Sequence, residues 1–193
     1  MEYKETPQSG LSYIHQWDVS SVKVFDGGFL LDKSNLPVGL EKLPRGSYLK
    51  IDMVERKAKL IKTVVLHEAL TNVATVVKIK KGSNVVATDV IGNGAKAVVV
   101  GAITTSDPEF DSFAITADAL GTAAKDAVLQ TYDSAGSSGK SPVNPDGLNY
   151  TDVVIDEEPA VSVIYEAHGI VTDSLPQGTT TAIKGALKFC QFL

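Results

Sequence analysis

Ala160-Val-Ser-Val-Ile-Tyr-Glu-Ala-His-Gly-Ile-Val-Thr172 is the stretch that decides the fold class. Apolar or aromatic side chains recur at every second residue, at Val161, Val163, Tyr165 and Ala167, which puts them on one face of a strand. The pattern resumes as Ile170-Val171 after Gly169, and a glycine inside a strand pattern predicts a bend. Asp152-Val-Val-Ile-Asp156 precedes this stretch and Leu175-Pro176 follows it. Residues 178–181 offer a helix start, and Ile183, Ala186 and Leu187 fall at i, i+3 and i+4, giving one narrow apolar face. Phe189-Cys-Gln-Phe-Leu193 alternates again, so Cys190 is expected on the face opposite Phe189.

Upstream the same β character continues. Val64-Val65, Val76-Val77 and the run 98–100 favour strands, because β-branched side chains suit a pleated surface. Strands are expected at 29–31, 47–53, 57–67, 75–80, 97–103 and 128–132, each bounded by turn residues. Gly92-Asn93-Gly94 predicts a hairpin or tight corner, since Gly and Asn tolerate positive φ. Residues 104–113, with Asp107-Pro108, read as a loop. Residues 116–125 hold enough Ala and acid for a short helix, weakened at Gly121 by about 1 kcal/mol relative to Ala. The Ser-, Gly- and Pro-rich stretch 133–147 is expected to be an exposed, mobile loop. The fold class is therefore mainly β (α+β), with short helices.

Composition sets bounds on function. A chain of 193 residues buries roughly 70% of its unfolded surface. Hydrophobic residues make up 44% and charged residues 21%, as in ordinary globular proteins. The net charge of -5 is mild and the basic residues are scattered, so the footprint of a nucleic-acid binder is missing. No apolar run approaches the ~20 residues that span a bilayer. The start, Met1-Glu-Tyr-Lys-Glu-Thr6, is too polar for a signal peptide, so the chain is expected to fold where it is made.

Residues 1–26 form an expected N-terminal arm ahead of a β domain at 27–193. Tyr13, Ile14, Trp17, Val22 and Phe25 lie among turn-forming Pro, Ser and Gly, and a segment that apolar needs a partner to shield it from water. Two readings stay open: anchors laid on another protein, or a strand packed on its own body. Trp17 fits either, since tryptophan is enriched both in cores and at interfaces.

No motif in the chain carries catalysis or a cofactor. Ala135-Gly-Ser-Ser-Gly-Lys140-Ser141 fails as a phosphate-binding loop, because Ser134 stands where its first glycine belongs and Pro142 follows where a long helix must start. The acidic clusters Asp107-Pro-Glu109-Phe-Asp111 and Asp156-Glu157-Glu158 lack the spacing and glycine of a calcium loop. They read as solvated or interface carboxylates, with a cation shared between subunits as the alternative. His15, His67 and His168 lack the i, i+4 partner of a helical zinc site, and there is no Gly-x-Ser-x-Gly elbow. Cys190, the only cysteine, excludes an internal disulfide and reads as a structural thiol. No nucleophile, base and orienter cluster, so no enzyme is expected.

The order of pieces in the last third resembles the C-terminal half of the head decoration proteins of tailed bacteriophages. That family runs from an acidic-ended strand through a "Val-His-Gly-Val-Val" strand and a "Leu-Pro" corner to a small-residue helix and a final strand. The matching stretches here are Val153-Val-Ile-Asp156, Ala167-His168-Gly169-Ile170-Val171, Leu175-Pro176, Ala182-Ile183-Lys184-Gly185-Ala186-Leu187 and residues 189–193. Gly28-Phe-Leu-Leu-Asp-Lys-Ser-Asn-Leu-Pro37 and Leu43-Pro-Arg-Gly-Ser-Tyr-Leu-Lys-Ile-Asp52 resemble the opening of head fibre proteins from phages of Bacteroides-type hosts. The resemblance implies a compact, mixed β, β-tulip-like decoration domain that assembles as a homotrimer on the capsid exterior after synthesis in the host cytoplasm. The major capsid protein would be its partner, and the N-terminal arm would add a strand or apolar anchors to it. The small decoration proteins lack much of the first ~60 residues present here, so fold analogy does not assign that part a role. A carbohydrate- or host-surface-binding module displayed on the particle is the alternative. It requires exposed aromatics near a cleft, and the aromatic content is only 7%.

Overall fold

The computed structural model describes residues 16–25, 28–176 and 178–193. Its strands are β1 (Asp18–Val24), β2 (Phe29–Leu31), β3 (Lys42–Leu43), β4 (Tyr48–Asp52), β5 (Lys57–Leu60), β6 (Thr63–Val65), β7 (Val76–Lys80), β8 (Val90–Asn93) and β9 (Lys96–Val99). They continue with β10 (Ile103–Thr104), β11 (Phe110–Ala114), β12 (Val128–Thr131), β13 (Gly147–Asn149), β14 (Val153–Val154), β15 (Ala160–Val161), β16 (Val163–Ile170) and, after the helix α1 (Thr181–Ala186), β17 (Cys190–Phe192). The molecule is mainly β, as its Val-rich alternation requires.

A large sheet runs in the order β1-β16-β13-β4-β5-β2-β15, with β17 parallel to β16. Successive strand residues point to opposite faces, and here both faces are covered. Tyr48, Ile61 and Ile164 enter one core with Trp17, Leu148, Ile170, Ile183 and Leu187. Their neighbours Leu49, Leu60 and Val163 enter a second core with Phe29, Leu31, Leu43 and Val161. The first core is covered by α1, which starts where the Thr180 hydroxyl accepts from Ile183 N at 3.1 Å and turns Ile183 inward. The second is covered by the β14–β3 pair through Leu43 and Val153.

The segment between β5 and β13 builds the smaller half. Sheets β6-β12-β8-β9 and β10-β11-β7 are joined by a bridge between Leu66 and Ile79 and curl around one core that includes Val64, Ile91, Phe113 and Leu129. At the crossover sits Lys62, 1% exposed, whose ammonium donates to Asp89 Oδ2 at 2.6 Å. Burial pushes this lysine below its ordinary range, against the pull of Asp89.

Several expectations are corrected. The 57–67 strand breaks at Ile61-Lys62, where the chain passes from the large sheet to the small half, and 97–103 breaks between β9 and β10. The 116–125 helix does not form, because Asp118 and Gly121 adopt φ of 59° and 69° and the chain instead makes turns and a bridge from Ala123 to Leu70. The long strand at 160–172 divides at Ser162 into β15 and β16, and bends at Gly169 (φ 65°), where the β16–β17 register shifts. The expected loop 133–147 is exposed over much of its length and is attached at three points: Gly136 and Ala97 exchange both backbone bonds, Lys140 N donates to Ala95 O, and Val143 N donates to Thr131 O. Gly94 (φ 62°) opens the two-residue turn of the β8–β9 hairpin. Gly92 lies within β8, where a Cβ would stand 2.6 Å from the Tyr132 ring.

Candidate functional site

Residues 17–25 of the expected arm are built into the body. Trp17 is 1% exposed in the first core, with the Arg45 guanidinium 4.7 Å above its ring. Gln16 holds the entry to β1 by donating from Nε2 to Ser174 O and accepting from Arg45 Nε. Val22 packs against the first core and Phe25 against the second. Of the five candidate attachment residues, the structure thus brings these three onto the chain's own body, and the burial of Trp17 leaves it no surface for a partner. Tyr13 and Ile14 lie outside the described residues.

The surface that stands out is elsewhere. On the small half, residues 97–99, 114–116 and 135–137, with Ala119, line a shallow trough of about 470 Å³. Three runs that contain no charged residue, 97–106, 112–117 and 134–139, line it, and a fourth, 71–77, pairs alongside, in a chain where 21% of residues are charged. Their meeting is fixed by the backbone: Val76 pairs with Ala114, Ile115 N donates to Thr75 O, and Ala97 bonds Gly136. The sheet pleat turns Val77, Val100 and Phe113 into the core and leaves Val76 and Val99 outside, 44% and 54% exposed. At the rim, Lys96 and Asp118 neutralise each other at 2.7 Å. Depletion of charge is one compositional signal of a protein contact. Strand periodicity does not point to this site. Its signal was the four uncharged runs, and only the pairing brings them together.

The acidic clusters and His67 have local partners. Asp107 Oδ1 accepts from Glu109 N, Asp111 accepts from Lys81 Nζ at 2.6 Å, and Lys33 Nζ donates to the backbone carbonyls of Asp156 and Glu157. His67 packs its ring on Phe110 at 5.2 Å. Among the described residues no three His, Cys, Asp or Glu side chains gather as a metal would need, and no helix is long and apolar enough to cross a membrane. Cys190 is buried, 8% exposed, on the face opposite the exposed Phe189, and burial pushes its thiol up to about 11. A second concavity beside β16 and β17 is lined by Glu166, His168, Lys188, Phe189 and Gln191. The chain matches no protein-family model, no curated protein and no solved structure.

Proposed function

We propose that the chain is a structural protein of a tailed-phage virion: a head decoration or head-fibre subunit that adheres to the outside of the capsid as a homotrimer and stabilises the shell. The observation that carries the reading is the uncharged trough, held on the outer side of the singly covered small half and suited to adhesion by buried area rather than by charge. The order of β14, β16, the Leu175-Pro176 corner, α1 and β17 supports it through the family resemblance. The partner is the major capsid protein. The test is to mix purified protein with undecorated shells: saturable binding in multiples of three copies per site, with a raised shell disruption temperature, is expected. Absence of binding overturns the reading.

One observation favours display of a glycan-binding module instead. Phe189 is 67% exposed beside a concavity with Glu166, His168 and Gln191, an aromatic platform next to hydrogen-bonding groups. Ligand-observed NMR with host-surface oligosaccharides distinguishes the two, since only the glycan reading transfers saturation to sugar protons.

A further inference from the structure

We propose that the outer edge of β9 docks an extended, uncharged segment of the shell protein by backbone pairing; this rests on the capsid reading above. In an antiparallel ladder the N–H and C=O of one residue point to the same side. Val90 accepts from Tyr132 N, so it faces β12, and its partner Val99 turns both backbone groups away from β8. Val100 donates to Asp89 O and accepts from Thr88 N, and the alternation turns Gly101 outward again. The backbone groups of Val99 and Gly101 have no partner among the described residues. Two residues earlier, Ala97 already holds Gly136 on this edge through bonds of 2.9 and 2.8 Å, so the edge accepts an antiparallel neighbour and sets the line a longer one would continue.

The walls define the occupant. Pairing with successive outward groups requires an extended chain, whose alternate side chains would drop into the trough. The cation against the lining, Lys140, lies over Gly136 and donates to Ser134 Oγ; beside Val99 the lining side chains carry no charge, and an unpaired buried charge is costly, so the side chains that drop in there must be uncharged. The edge of β1 is a poorer host. Between Asp18↔His168 and Lys23↔Glu166 its register shifts, and Ser20 N is taken by Asp18 Oδ1; such irregularity closes an edge to added strands.

The experiment uses the full chain and undecorated shells. Hydrogen-exchange mass spectrometry is expected to show at least tenfold slower exchange across residues 98–102 on shells. Val99→Lys and Gly101→Asp are each expected to weaken shell binding at least tenfold with an unchanged melting midpoint; a Cβ at Gly101 meets nothing within 4 Å, and Val99 is exposed. Val54→Lys, on the 93% exposed turn after β4, is expected to leave binding intact. Normal shell binding by Val99→Lys, with unchanged exchange at 98–102, overturns the docking edge and leaves the capsid reading standing. Failure of the unaltered chain to bind shells overturns the capsid reading itself. Protection of 98–102 that grows with protein concentration in the absence of shells assigns the edge to a second copy and overturns the choice of occupant.

Discussion

The large sheet and the small half are made from the same Val- and Ala-rich strands, yet they dispose of their surfaces in opposite ways. The large sheet buries both faces, and its β16 is flanked by β1 on one side and by β13 and β17 on the other. The small half buries one face around a single core and leaves an uncharged trough and an open edge on the other. Stability is concentrated where both faces are covered, and recognition is available where one face and one edge are left over.

The strongest way to break that contrast is Trp17→Ala. Emptying a fully buried indole site costs about 4 kcal/mol, so denaturant unfolding should shift far to lower midpoint. A change under about 1 kcal/mol would return residues 17–25 to the status of a detachable arm. The junction comes next: Lys62→Ala leaves Asp89 without its counter-charge and should cost about 3 kcal/mol. Lys62→Met with Asp89→Asn should recover most of that loss, measured by the same unfolding curves. Gly92→Ala probes the small half alone. Its Cβ would stand 2.6 Å from the Tyr132 ring and 2.7 Å from Lys96 O, an overpacking worth about 2 kcal/mol.

Alkaline pH should act on the first core of the large sheet. Burial raises Cys190 from 9.0 to about 11 and Tyr48 from 10.0 to about 12. For a raised folded value, the stabilisation is complete below the unfolded value and is lost as pH climbs through the folded one. Stability should therefore fall between about pH 9 and 12, and Cys190→Ala with Tyr48→Phe should flatten that limb in a pH series of thermal melts. The smallest effect is expected from a short tag inserted after Ser138. Residues 137–139 are exposed while Gly136 and Lys140 are pinned, so the melting midpoint should move by no more than about 1 °C for a change of a few tenths of a kcal/mol.

Much of the framework was legible because local chemistry decides it. The 3.6-residue spacing of Ile183 and Leu187 specified α1, Gly94 specified the hairpin turn, and the period of two around Val163 specified β16. The helix expected at 116–125 failed because side-chain amide bonds from Asn93 to Leu120 O and Thr122 O, and left-handed residues on either side, suit turns better than a helix. Trp17 illustrates a different limit. Its two readings differ only in which surface covers the ring, and that surface is assembled from distant parts of the chain, from Arg45 and Tyr48 to β16, α1 and β17. The trough was illegible for the same reason: its walls come from three separate loops and strands whose meeting is decided by pairing, while the absence of charge in each wall was visible throughout.

The position of β16 also has a consequence in time. Its neighbours β1 and β17 lie near opposite ends of the sequence, whereas the core of the small half is complete at Leu129, roughly sixty residues before Phe192. At synthesis rates of about 5–20 residues per second, the small half can close on the order of ten seconds before the final strand emerges. During that interval Trp17 and the first face of the large sheet wait uncovered. Slowing translation across residues 130–192 should lengthen the wait and raise the aggregated fraction, while leaving the fold that finally forms unchanged.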